Sequence, residues 1–254
     1  MQEINKNTDI KHFSSTVEVE SRDAMLQLMQ NCPIPEDQFL SNMGLFLDSK
    51  NLSRLLFLNH LYQQIVDLQG VVMEFGTRWG QNGAVFSALR SIYEPFNRHR
   101  KIVLFDTFEG FPSVAEADGK SDLMQIGQLM TTKNYDQFLS DVMHNQEAVN
   151  PLNHIKKYKI CKGEATEQLE KYLKDNPETI ISLGYFDFDL YEPTKNCLEL
   201  IKDRLVKGSV LGFDELNDPD SPGETLALME SFGLRNIALK RYRYASRVSY
   251  FIVE

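Results

Sequence analysis

From residue 70 onward the chain alternates short apolar runs with amphipathic segments. No other feature constrains its fold as tightly. The runs at about 71–75, 101–106, 155–161, 180–187 and 208–213 have the length and the aliphatic and aromatic content of buried strands. Between them, apolar residues recur at helical spacing over about 81–93, 134–146, 164–174 and 194–205. A last helix is expected over about 222–232, ahead of strand-like runs at about 235–241 and 246–253. Such alternation predicts an α/β fold, a doubly wound and mostly parallel sheet. The closing pair of strands predicts an antiparallel hairpin at one edge.

Upstream, Leu52, Leu55, Leu56, Leu58, Leu61, Tyr62, Ile65 and Val66 recur at helical spacing, with Asn51 or Ser53 as the expected cap. Residues 1–66 are read as an N-terminal arm and helical lid, the first twenty weakly ordered, and residues 67–254 as the main domain. Residues 107–133 are long for a connection, which marks a functional or mobile loop.

In a doubly wound sheet, ligands bind beyond the carboxyl ends of the strands. The first strand ends in Glu74-Phe75-Gly76-Thr77-Arg78-Trp79-Gly80. Glycine there permits a tight turn and close approach to a ligand, and a helix from about Gln81 turns its N–H groups toward that space. The spacing is not G-x-G-x-x-G, so a dinucleotide pyrophosphate fits poorly. An ordinary turn remains open at this point. The second strand ends in Asp106, placed to accept hydrogen bonds from ribose hydroxyls, or else to cap the turn that follows.

Acids gather after the next strand ends. Asp187 and Asp189 are two apart and share a face if they lie in a strand. Pro193 suits the first turn of the helix that follows. The fifth strand runs into Asp214-Glu215. Asp189, Asp214 and Glu215 in one cleft repel one another, and a divalent cation relieves that. Oxygen-only ligands suit Mg²⁺ or Ca²⁺ rather than zinc. The alternative is that these acids cap a helix and open a turn.

Other chemistries are disfavoured. The five histidines are scattered, and neither G-x-S-x-G nor G-x-x-x-x-G-K-[ST] occurs. A formal charge of −9 argues against a nucleic-acid partner. Lys240, Arg241, Arg243 and Arg247 form a local basic group, read as a solvated face. Three widely spaced cysteines suggest reduced thiols. With no apolar leader or membrane span, a cytoplasmic protein is expected.

Four segments occur in order: GVVMEFGTRWGQNGAVF, KIVLFDTFEGFP, YFDFDLYEPTKNCLELIKDRLVKGSVLGFDEL and SPGETLALMESFG. Together they resemble the macrocin O-methyltransferase family, S-adenosylmethionine- and Mg²⁺-dependent enzymes that methylate sugar hydroxyls. The resemblance spans about residues 50–232. It implies a Rossmann-like methyltransferase sheet with an antiparallel last strand. It further implies that Glu74, Gly76, Thr77 and Gly80 line the S-adenosylmethionine site. Asp106 would hold the ribose, with Thr107 and Phe108 beside it, and Glu164 would border the adenine. Asp187 would begin the acidic motif, and Asp189, Asp214 and Glu215 would bind the metal.

The chain departs from the family at Asp214-Glu215-Leu216, where Asp-Asp-Tyr is usual, and at Phe188. The C-terminus also lacks the usual ending. The resulting expectation is an O-methyltransferase acting on a sugar or glycosylated metabolite, with Asp189 as base and metal ligand. Its partner is a small-molecule acceptor, with no nucleic acid and no membrane, and a homo-oligomer is compatible. The alternatives are a catechol-type O-methyltransferase and a non-catalytic module that keeps the fold.

Overall fold

The computed structural model describes residues 14–254. The expected arm over residues 1–20 lies mostly outside them. From Thr16 the chain is already helical. Helix α1 (Thr16–Gln30) opens on a capping box, in which Ser15 and Glu18 satisfy each other's backbone N–H groups. A short α2 (Glu36–Phe39) and a 3₁₀ segment (Leu40–Phe46) lead to α3 (Ser49–Gln63). The cap of α3 is Asp48, whose carboxylate accepts from the Asn51 N–H. The expected caps, Asn51 and Ser53, lie inside the helix.

The rest of the chain follows the expected alternation. In chain order it comprises β1 (Val71–Phe75), α4 (Gln81–Tyr93), β2 (Ile102–Asp106), α5 (Tyr135–Ala148), β3 (Tyr158–Lys162), α6 (Ala165–Asp175), β4 (Ile181–Phe186), α7 (Tyr191–Ile201), β5 (Leu205–Phe213), α8 (Gly223–Phe232), β6 (Lys240–Arg241) and β7 (Ser249–Ile252). The sheet order is β3-β2-β1-β4-β5-β7-β6. The first five strands are parallel, and β7 runs antiparallel to β5 and β6. The chain reverses its strand order between β1 and β4, and that switch point opens a crevice at the carboxyl ends. The expected strand over 235–241 shrinks to two residues because Leu234–Asn236 form a 3₁₀ turn first.

Strand alternation divides the core. Met73, Phe75, Val103, Phe105 and Phe213 face α6, α7 and α8. Val72, Ile102, Leu104 and Val210 face α3, α4 and α5. Phe105, Phe75, Phe186, Phe213 and Phe251 sit on five adjacent strands, and their rings stack at 4.6–6.4 Å between centroids. These offset stacks form an apolar floor close beneath the carboxyl ends. Among the described residues, no helix is long and apolar enough to cross a membrane.

Candidate active site

A cavity of about 410 Å³ opens above that floor. Its walls are the loops after β1, β2, β4 and β5, with α3 and residues of the 107–133 segment closing one side. The turn after β1 makes the first wall. Gly76 has φ +90°, and a Cβ there would collide with the Asp187 carbonyl. Gly80 has φ +75° and caps α4, whose first N–H groups open toward the cavity.

Glu74 is fully buried, and among the described residues no hydrogen bond of good geometry reaches its carboxyl oxygens, though the Asn82 amide and the Gly83 N–H lie close by. Burial pushes its pKa up to about 8, opposed by the nearby Asn82 amide and Arg54 charge. Thr77 Oγ1 is likewise buried and unpartnered. Buried polar atoms of this kind call for a bound partner.

Asp106 closes the second wall. Its two oxygens accept from the Arg78 N–H at 2.7 Å and the Phe108 N–H at 2.6 Å. It therefore does cap its own turn. A carboxylate has about four lone-pair sites, so two remain for a diol. Thr107 lines the cavity and donates to the Gly110 carbonyl. Phe108 is 6% exposed and packs in the core beneath Tyr135 instead of lining the cavity. Glu164 lines it and caps α6 by accepting from the Glu167 N–H. Glu74 and Gly80 stand behind the cavity surface.

The acids come together, though not through strand alternation. β4 stops at Phe186, so Asp187 and Asp189 sit in the turn beyond it, with Asp189 at φ +62°. That turn is held by Glu224 of α8, which accepts from the Phe188 and Asp189 N–H groups at 2.7 and 3.3 Å. Asp118, in the long 107–133 segment, accepts from the Tyr191 N–H at the start of α7. The segment is therefore pinned to the site. Burial and the charge of Asp214 raise the Asp189 pKa to about 7, against the pull of Arg247, Arg78 and Arg54. The same two causes raise Asp187.

Two arginines occupy the places where sequence puts a cation. Arg54 of α3 donates to Asp187 at 2.5 Å, pairs with Asp214 at 3.2 Å, and reaches Asn82 of α4 at 3.0 Å. Arg247 pairs with Glu215 and, at 3.0 Å, with Asp218. Arg247, of the basic group expected on a solvated face, is about half exposed and also lines the cavity. Glu215 also accepts from Ser221 Oγ at 2.7 Å.

The carboxylate donors have the right chemistry for Mg²⁺. Their arrangement does not fit it, because guanidinium groups already pair with two of the three, Asp214 and Glu215. Among the described residues, no three acidic, histidine or cysteine side chains gather as a cation cluster. Sequence reasoning missed Arg54, Glu224 and Asp118. Arg78 and Trp79 had no role there, and both line the cavity.

No protein-family model and no curated protein matches the chain. Solved structures do. One, described as CalS11, a calicheamicin methyltransferase, is 38% identical over 95% of this chain and 94% of its own, with a TM-score of 0.92. An apo structure of CalS11, described as a TDP-rhamnose 3′-O-methyltransferase in calicheamicin biosynthesis, is 35% identical over 95% and 96%, with a TM-score of 0.84. The O-methyltransferase NovP shares the fold at 18% identity, covering 79% of each chain at a TM-score of 0.59. On its identity to CalS11 across nearly the whole chain, the protein is an S-adenosylmethionine-dependent O-methyltransferase and belongs to the sugar O-methyltransferase family.

Proposed function

We propose that the protein methylates a hydroxyl of a nucleotide-linked or otherwise glycosidic sugar. The observation that carries this is 38% identity across 95% of the chain to a methyltransferase whose apo structure is described as acting on TDP-rhamnose. S-Adenosylmethionine supplies an electrophilic methyl group on a sulfonium.

The remaining work belongs to the chain. Glu74, Gly76, Thr77 and Gly80 shape the pocket for the methionine end of the cofactor. Glu74 offers a buried carboxyl group with no well-formed hydrogen bond among the described residues. Asp106 holds the ribose hydroxyls with its free lone pairs, Thr107 and Phe108 fix that turn, and Glu164 borders the base. Asp187 anchors the acidic turn. Asp189, which lines the cavity, takes the proton from the attacking hydroxyl. Positioning of the two reactants supplies much of the rate. Asn51 and Arg54 of α3 and the 107–133 segment wall the cavity and keep water out.

Metal dependence through Asp189, Asp214 and Glu215 requires Arg54 and Arg247 to release two of those carboxylates. Three free cysteines accord with a cytoplasmic setting.

The test is transfer from labelled S-adenosylmethionine to a panel of nucleotide sugars, glycosides and catechols, with and without a chelator. Product on a sugar hydroxyl is expected. Product on catechols alone overturns the sugar assignment.

A further inference from the structure

Arg54 belongs to no motif, lies outside the glycine and acidic segments, and yet touches both. Its α3 backbone is fixed by the buried side chains of Phe57, Leu58, Leu61 and Tyr62. Its guanidinium spans three elements: Asp187 beyond β4, Asp214 beyond β5, and Asn82 in the first turn of the cofactor helix α4. A planar fork with five donors can hold several acceptors in fixed directions, which a point charge cannot.

We propose that Arg54 is a positioning residue that reserves Asp187 and Asp214. It holds the two carboxylates in place over the cavity and keeps divalent cations off them, so that a cation can reach Asp214 only by displacing the guanidinium. Three observations support this. The three contacts bring the N-terminal helices, the cofactor helix and the acid turn to one group. Two carboxylates share one guanidinium that is only about one-third exposed, where its charge is weakly screened. Arg247 holds the neighbouring Glu215 in the same way. The inference rests on the proposed function for its turnover readout and is independent of it for its cation readout.

The experiment compares wild type with Arg54→Met and Arg54→Lys. It measures acceptor kcat and KM, S-adenosylhomocysteine affinity by calorimetry, and Mn²⁺ binding by electron paramagnetic resonance. Arg54→Met should bind S-adenosylhomocysteine within about threefold of wild type, lose kcat by about tenfold or more, and bind Mn²⁺ about tenfold or more tightly. Arg54→Lys keeps a cation but loses the fork, and should fall between the two. A folded Arg54→Met with wild-type kcat, or with unchanged or weaker Mn²⁺ binding, overturns the inference. If Arg54→Met does not fold, Arg54→Lys decides by the same two readouts. Absence of turnover in wild type refutes the proposed function instead, and the Mn²⁺ comparison then decides this inference alone.

Discussion

The two ends of the parallel sheet bury similar side chains to opposite effect. At the amino ends, Arg100 is fully buried and donates to Glu94, Ser182 and the carbonyls of Ile65, Leu68 and Gly70. Arg90 and Lys157 pair there with Glu147, and Tyr62 donates to Glu94. Every charge in this set has its opposite within reach. At the carboxyl ends, Glu74, Thr77, Arg78 and Glu224 each keep a buried polar atom without a partner among the described residues, whereas beside Glu147 it is Gln146 Oε1, an uncharged group, that does so. A satisfied network specifies structure, whereas an unsatisfied one is held ready for something that binds. The comparison separates the chain's buried charges by role, which their residue types alone do not.

The largest effects should fall on opposite observables at the two ends. Asp189→Ala should lower turnover by about 10²–10⁴-fold, leaving S-adenosylhomocysteine affinity near wild type. Equal loss of both would move Asp189 from the acceptor side to the cofactor side. Arg100→Met should do the reverse. It strands Glu94 in the interior and should cost about 3–5 kcal/mol of stability. Thermal unfolding would show this, while turnover per folded molecule stays near wild type at low temperature. A small stability loss would mean that the amino-end network contributes less than its geometry suggests.

What sequence could show followed from local pattern. The strand and helix periods placed the sheet, and the glycine turn, Asp106 and the acid pairs were each visible within a few residues. What it could not show was which distant side chain answers them. Arg54 sits 133 residues before Asp187, and Glu224 lies 36 residues after Phe188. Neither carries a spacing signal. Arg247 was hidden differently, because its basic neighbours made it look like part of a solvated strand. The cap of α3 was missed for a simpler reason: Asp48 stands one residue before the helix, ahead of two residues that are also good caps.

Smaller effects sharpen the comparison at the cofactor end. Asp106→Ala should weaken S-adenosylhomocysteine binding by about 1.5–3 kcal/mol, the range for hydrogen bonds to a charged group. Titration calorimetry would measure it, and unchanged affinity would leave Asp106 as only the cap of its turn.

Glu74 gives a pH signature. Burial raises its folded pKa to about 8, above the ordinary 4.5. The proton is held in the folded state and lost first in the unfolded one. The stability that this contributes is full below pH 4.5 and falls as pH rises toward 8, by at most about 1.4 kcal/mol per pH unit. Glu74→Gln, which cannot ionise, should flatten that part of the cofactor-free stability curve. An unchanged slope would mean that Glu74 is solvated or paired.

We propose that the cavity at the carboxyl ends, lined by Thr77, Arg78, Asp106 and Asp189, takes the cofactor, with Asp189 on the acceptor side. Titration calorimetry with S-adenosylhomocysteine, on wild type and Asp189→Ala, tests it most directly. Binding of micromolar strength to both proteins, with nearly equal affinity, is expected. Folded wild-type protein that binds none would contradict it.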